Sequence, residues 1–545
     1  MKKSFLASLA LCIILTGFTL RKPDADMLFF NAKVYTLNSS FERVEAFAVK
    51  DGKIVQTGTA EDLKAKFNFG KEIDLKGKYV YPGFIDAHSH FLGLGAVQLE
   101  IDLRGAKSWE EVVKRCVAFY QKNKTMKAIK GRGWDQNEWP GKQFPVNTEL
   151  NRLFPDVPVL LKRVDGHAAI VNDYALRKTG LNTLTKIDGG ALVKENGKLT
   201  GLLIDNAVDE IENNKQLFPD KQDDQLMQEL DTAQKICFSK GLTSVCDAGI
   251  SSLQAEFLKN VQHDIRIYAM LSANEENMSR YLGQPYKTAT LNISSFKMYA
   301  DGSLGSRGAC LLSEYTDQKN HQGFLLTPID KIEEYVMRLS QSPFQLNTHC
   351  IGDSANRLTL KMYSKYLSPG NNSRWRIEHA QVVNESDLEL FRIYNVIPSV
   401  QPTHATSDMA WAEKRLGKSR ITDAYAYRKL LDRTRILALG TDFPVEDANP
   451  LHTFYAAVTR KDAEGKPAGG FLPSEALTRE EALKGITIWA AFAAFEETEK
   501  GTLETGKYAD FVVLDVDLLN DDLLQIRNAR VIGTYINGKV VYQGK

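Results

Sequence analysis

His88-Ser89-His90 closes a short apolar run that starts at Gly83. In an extended strand, residues two apart point to the same side, so both imidazoles can reach one metal ion. Imidazole suits zinc and other first-row divalent ions. Four more polar residues end apolar runs in the same way. They are Lys297 in Phe296-Lys297-Met298-Tyr299, His349 in Asn347-Thr348-His349, His379 in Arg376-Ile377-Glu378-His379, and Asp442 in Gly440-Thr441-Asp442. Taken singly, such a lysine is a solvated charge, such a histidine a satisfied core group, and such an aspartate a helix cap. An ordered series of His-x-His, Lys, His, His and Asp, each after an apolar strand, is much harder to produce by chance. It predicts a metal centre.

Those runs must be held by a common frame. Strand candidates begin at Gly83, Val159, Thr243, Ile265, Ser295, Phe344, Trp375, Ile397 and Ile436, and helical patterns at 225–239 and 331–340 separate several of them. Alternation of this kind favours a parallel sheet, and the count favours a (β/α)₈ barrel. In such a barrel the carboxyl ends of the strands form the catalytic face. The candidates exceed eight, and the stretch from about 109 to 209 reads as an insertion near the barrel mouth. Both chain ends are different. Residues 27–80 and the segment after Gly501 read as short strands, with hairpin signals at Asp51-Gly52 and Asn537-Gly538. Neither end has enough strands to bury a face alone, which predicts one composite β domain, a sandwich, built from both. The expected division is 23–83 with 497–545 for that domain and 84–496 for the barrel.

The bulk numbers set limits. A chain of 545 residues suits a large barrel plus a second domain. Hydrophobic residues make up 43% and charged residues 25%, and the formal net charge is +1. That balance is ordinary for a globular protein and argues against nucleic acid as a partner. The six cysteines, at 12, 116, 237, 246, 310 and 350, include no C-x-x-C pair and do not read as a disulfide framework or a thiolate zinc site. Cys350, beside His349, reads as a small core residue. Lys2 and Lys3 precede an apolar run over 5–20, then Arg21-Lys22-Pro23. This predicts a secretory leader over 1–22, or an uncleaved membrane anchor, and so an exported protein, periplasmic or extracellular. A homo-oligomer is compatible with all of this.

Longer motifs carry a resemblance. Pro82-Gly83-Phe84-Ile85-Asp86-Ala87-His88-Ser89-His90 resembles the opening strand of the amidohydrolase superfamily, and the segment from Gly501 through Asp510 resembles its return into the β domain. Gly131-Arg132-Gly133-Trp134-Asp135, Arg163-Val164-Asp165-Gly166-His167, Ala300-Asp301-Gly302-Ser303, Glu378-His379-Ala380-Gln381 and Gly440-Thr441-Asp442 are similar to the N-substituted formamide deformylase-like branch, amidohydrolase family 3. The resemblance covers nearly everything after the leader. It implies a hydrolase for a small amide, N-formyl compound or cyclic amide, using one or two divalent metal ions, zinc foremost. On the family pattern His88, His90 and Asp442 hold the more buried ion, and His349 and His379 hold the other. Lys297, carboxylated by CO₂, bridges them. A lysine ammonium has no acceptor for a cation, whereas a carbamate has two anionic oxygens and spans ions about 3.5–4 Å apart. Hydroxide from a metal-activated water attacks the carbonyl, and Asp442 carries the proton to the leaving nitrogen.

The same branch places His167 over the barrel mouth as a partner of the substrate or its developing oxyanion. Trp134, Asp135 and Trp139 are expected on the pocket wall, Asp301 and Arg307 beside Lys297, and His404 near the substrate. The tryptophans point to an apolar or aromatic N-substituent. Two alternatives stay open. A mononuclear nucleobase-type deaminase on the same barrel lacks the bridging lysine and carries Glu three residues after the fifth-strand histidine, where this chain has Gly352. A non-catalytic, metal-stabilised binding protein has no need of an aspartate placed for proton transfer.

Overall fold

The computed structural model describes residues 22–124 and 126–544. The leader or anchor expected at the N-terminus therefore lies outside the described residues, apart from Lys22. Among the described residues, no helix is long and apolar enough to cross a membrane.

Eight strands run parallel in one sheet. They are β1 (Phe84–Ser89), β2 (Leu242–Ile250), β3 (Arg266–Ser272), β4 (Leu291–Tyr299), β5 (Gln345–Cys350), β6 (Arg376–His379), β7 (Ile397–Val400) and β8 (Ala438–Leu439). Each pairs with the next in chain order. Their residues are almost all buried, which fits strands covered on both faces. The seam between β8 and β1 closes through the residues just beyond β8. Asp442 N–H donates to His88 O at 2.8 Å, and His90 N–H donates to Phe443 O at 2.8 Å. The Asp86 carboxylate accepts from Thr441 N–H at 3.0 Å and Thr441 Oγ1–H at 2.7 Å. Gly440 permits this approach, because a Cβ there would lie 2.5 Å from His88 N. The result is a nearly closed (β/α)₈ barrel.

The ninth strand candidate, at Val159, belongs elsewhere. A six-stranded sheet lies between β1 and β2 in sequence. It is formed by Ile101–Asp102, Ile129–Trp134, Val159–Arg163, Ala168–Val171, Gly190–Glu195 and Lys198–Asp205. It starts at Ile101, before the helix Trp109–Lys122. Alternate residues of this sheet feed two cores. Leu161, Ile170 and Ile204 pack with Trp134 and Trp139 on one face, and Leu160, Ala169 and Leu203 pack with Ala207 and Ile211 on the other.

Strands from both chain ends form two facing sheets, one of four strands and one of six. Tyr79–Pro82 pairs with Phe511–Leu514, joining the ends directly. Phe29, Phe47, Val80, Phe511 and Val513 fill the space between the sheets, and each such burial stabilises by roughly 1.5–3 kcal/mol. Arg266 on β3 ties the barrel to this unit through Asp510, at 2.5 and 3.0 Å.

Candidate active site

The carboxyl ends of the barrel strands open into a cavity of about 540 Å³. His90, Lys297, His349, His379 and Asp442 line it from the barrel, and His167 lines it from the inserted sheet. His88 lies just beneath, fully buried.

Hydrogen bonds fix which ring nitrogens face inward. His88 Nδ1 lies 2.5 Å from Glu378 Oε2, His90 Nδ1 lies 2.9 Å from Ala248 O, and His379 Nδ1 lies 2.7 Å from Gln401 Oε1. An acceptor on Nδ1 holds the proton there and leaves the Nε2 lone pair free. Those lone pairs converge. His88 Nε2 and His90 Nε2 lie 3.6 and 3.2 Å from Asp442 Oδ1, and His404 Nε2 lies 3.6 Å from Asp442 Oδ2. Ligand atoms of His88, His90 and Asp442 lie within 4.8 Å of one another, as do those of His379, His404 and Asp442. His349 Nε2, His404 Nε2 and Asp442 Oδ1 are buried without hydrogen-bond partners. Buried lone pairs without donors are costly, and a cation is what would satisfy such a set.

The electrostatics agree with this. Burial lowers His88 to about 4, with the Lys297 charge adding to the effect. Burial also holds His349 and His379 well below the usual histidine value. Burial opposes ionisation of Asp442, but the hydrogen bond and charge of the surrounding histidines win and hold it well below the carboxylate range. Neutral imidazoles and an ionised carboxylate are the ligand forms at neutral pH. Lys297 is 1% exposed, with Nζ 3.1 Å from His88 Nε2. Among the described residues, no carboxylate forms an ion pair with it, and burial lowers it to about 8.

The positions of these side chains follow from β-structure with local breaks. Lys297 and Tyr299 alternate on β4, and Tyr299 pairs in register with His349 on β5. His379 and Asp442 both have positive φ, 73° and 61°. Non-glycine residues seldom adopt that region, and they do so where surrounding structure overdetermines them, often at functional sites.

The structure brings His404 into the ligand cage, beyond the substrate contact that the sequence suggested. His349 stacks edge-on against His379, with ring centroids 4.5 Å apart. Two wall expectations are corrected. Trp134 and Trp139 do not face the cavity. Their indole N–H groups donate to Leu161 O and Ala106 O, each at 2.8 Å, and the rings pack in the insertion core. Asp301 accepts from the backbone N–H groups of Cys310, Ile351 and Gly352 at 2.8–2.9 Å, so it ties the chain after β4 to the end of β5. Arg307 is paired with Asp317 at 2.9 Å. Asp135 does line the cavity, with its carboxylate 2.6 Å from Arg163.

Other residues escaped the sequence reading. Glu378 orients His88 and is itself gripped by Arg376, which also donates to Ala87 O at 2.5 Å and Ser399 Oγ at 2.9 Å. Burial disfavours the Glu378 anion, but Arg376 and His88 outweigh it and hold the carboxyl down at about 2. A signal was present: Arg376 and Glu378 are two charges on one face of a short buried strand. Gln401 and Asp205, the partners of His379 and His167, carried no such mark.

The amidohydrolase family model matches residues 71–542. The chain is 32% identical over 542 residues to Protein LONG AFTER FAR-RED 3 of Arabidopsis thaliana, covering 95% of this chain and 92% of that protein. It is 23% identical over 542 residues to the N-substituted formamide deformylase of Arthrobacter pascens, covering 95% and 98%. The crystal structure of an uncharacterized metal-dependent hydrolase from Pyrococcus horikoshii OT3 superposes with a TM-score of 0.74 at 28% identity, covering 91% of this chain and 99% of that one. A family match over most of the chain, on a barrel whose strand ends meet in a cage of inward lone pairs, supports one assignment: the chain belongs to the amidohydrolase family.

Proposed function

We propose that this protein is a metal-dependent hydrolase that opens a carbon–nitrogen bond in a small amide, N-formyl compound or cyclic amide. The observation that carries the reading is the set of inward Nε2 atoms of His88, His90 and His379 around Asp442, each ring anchored through Nδ1. His88, His90 and Asp442 would hold one divalent ion, zinc foremost. His349 and His379 would hold a second, with a carboxylated Lys297 between them and His404 within reach. A divalent ion held there would supply an acidified water, with a pKa towards ~7, and a Lewis acid for a carbonyl oxygen.

The chain's own groups supply the rest. Asp442 offers Oδ1 to the cage and keeps Oδ2, on the His404 side, to take the proton of the attacking water. It then gives that proton to the leaving nitrogen, because an amine leaves poorly as an anion. His167 stands over the site with its ring 5.2 Å from that of His349, placed to hydrogen-bond the substrate's carbonyl oxygen. The Lys297 amine, lowered to about 8 by burial, is neutral in part at neutral pH, and the neutral amine is the form that adds CO₂.

Two acidic residues on the cavity wall support a polar substituent rather than the aromatic one that Trp134 and Trp139 suggested. Asp408 and Glu446 line it, and among the described residues neither has a salt-bridge partner. Asp408 accepts from Tyr425 Oη–H at 2.8 Å, and Glu446 accepts from Ser407 Oγ–H at 2.6 Å. Burial pushes Asp408 up to about 7, and a cationic or N–H-rich substituent would hold it ionised.

A panel of N-formyl, N-acyl and cyclic amides, each with neutral and amino-bearing N-substituents, tests the reading. Zinc-loaded protein is expected to release amine from at least one class and to prefer the amino-bearing members. No turnover across the panel by metal-replete protein would contradict the assignment.

A further inference from the structure

Asp205 ends the strand Lys198–Asp205 and precedes the helix Asn206–Glu212, the place of an N-cap. Its carboxylate makes no capping hydrogen bond. The backbone at Asp205 has φ 50°, a conformation rare for a residue with a side chain. This turn aims the carboxylate at His167, whose Nδ1 lies 2.6 Å from Oδ1. The two residues are neighbours across an antiparallel ladder, where Asp205 N–H also donates to His167 O at 2.8 Å.

Two glycines make room for this carboxylate. A Cβ on Gly302 would lie 2.5 Å from both carboxylate oxygens, and one on Gly308 would lie 2.1 Å from Oδ2. Oδ2 itself is buried with no hydrogen-bond partner. Among the described residues, no lysine or arginine pairs with Asp205. A buried carboxylate with one orphan oxygen on an unfavourable backbone is costly to fold, and it makes no hydrogen bond to the helix behind it. Such outliers concentrate where function over-determines the position.

We infer that Asp205 is the positioning residue of His167. It accepts the Nδ1 hydrogen, fixes the ring, and as a buried anion favours the doubly protonated imidazolium, so that Nε2–H faces the cavity as a donor to the substrate's carbonyl oxygen. This rests on the reading of His167 given above. An unanchored imidazole could flip to present Nδ1 or a ring carbon, or change which nitrogen carries the proton. A buried acceptor on Nδ1 removes those states, the part that an aspartate plays in a Ser-His-Asp triad.

The test has two arms on the full-length, metal-loaded protein. The first is ¹⁵N-histidine NMR, with the His167 signals assigned by their loss in His167→Ala. Wild type is expected to carry a proton on Nδ1 of His167, and Asp205→Asn is expected to change that nitrogen's shift. An unprotonated Nδ1 in wild type, or unchanged shifts in Asp205→Asn, would overturn the proposal. The second arm is a double-mutant cycle on hydrolysis of N-(4-nitrophenyl)formamide or the best amide of the panel. Asp205→Asn is expected to lower kcat on the order of 10²-fold with KM little changed and metal content retained. The Asp205→Asn/His167→Ala protein is expected to be no slower than His167→Ala alone. Additive losses would mean that Asp205 acts elsewhere and would overturn the proposal. If His167→Ala leaves kcat intact while the NMR change occurs, positioning stands and the substrate contact of His167 falls.

Discussion

The barrel and the inserted sheet both deliver polar groups to one cavity, but by different means. The barrel does it with strand ends: Lys297, His349 and His379 sit at the last turns of parallel strands that share one register. The rings of His88 and His379 are anchored by acceptors that the barrel itself supplies, Glu378 and Gln401. The inserted sheet uses ion pairs and a strained turn instead. Arg163 bridges Asp135 and Asp165 at 2.6 and 2.5 Å, and Asp205 holds His167. The difference teaches that the converging histidines and Asp442 are set by the barrel's own strand ends, whereas His167 and Asp135 reach the same cavity from the inserted sheet.

Substitutions can break this comparison. The largest effect on rate belongs to the barrel. Asp442→Asn keeps the size and one ligand oxygen but cannot carry the proton, so kcat should fall on the order of 10²-fold or more. Thermal unfolding of the variant should stay close to wild type. A variant with near-normal kcat would remove Asp442 from proton transfer.

Glu378→Gln comes next and probes the barrel's anchoring shell. It leaves Arg376 buried without its anion, and breaking a buried pair typically costs about 3–5 kcal/mol. Metal affinity should weaken about 10–100-fold, because His88 loses its carboxylate partner. The pH sign follows from the lowered Glu378 carboxyl. A depressed folded-state value contributes stability above the ordinary carboxylate value, and that stability is lost as pH falls towards about 2. The stability gap between wild type and Glu378→Gln should therefore shrink between about pH 4.5 and pH 2. A gap constant across that range, in denaturant titrations, would contradict the pairing.

The smallest effect belongs to the insertion core. Trp134→Phe removes one buried indole donor to Leu161 O and should cost about 1–3 kcal/mol of stability, with KM and kcat nearly unchanged. A selective rise in KM would put Trp134 back on the substrate wall.

Much of the site was legible in the sequence, because parallel barrel strands convert chain order into spatial order. His88, His90, Lys297, His349, His379 and Asp442 could be placed at strand ends from apolar runs alone. The inserted sheet was less legible. Val159–Arg163 is as apolar as a barrel strand, and periodicity cannot say which sheet a buried strand joins. Trp134 and Trp139 were ambiguous because a tryptophan serves equally as core or as pocket wall, and here the need of each indole N–H for a carbonyl decided it. Asp205 was hidden by its own position, since an aspartate before a helix reads as a cap. His404 needed the return of the chain after β7, which brings it to Asp442 from outside any shared motif.

The central claim is that the converging Nε2 atoms and Asp442 form a cage for divalent metal, and metal content measures it directly. Purified, zinc-reconstituted wild type should carry between one and two equivalents of a divalent ion by elemental analysis. His88→Ala/His90→Ala should lose it, and Lys297→Ala should retain less than wild type. Full metal content in the double-histidine variant, or none in reconstituted wild type, would contradict the account.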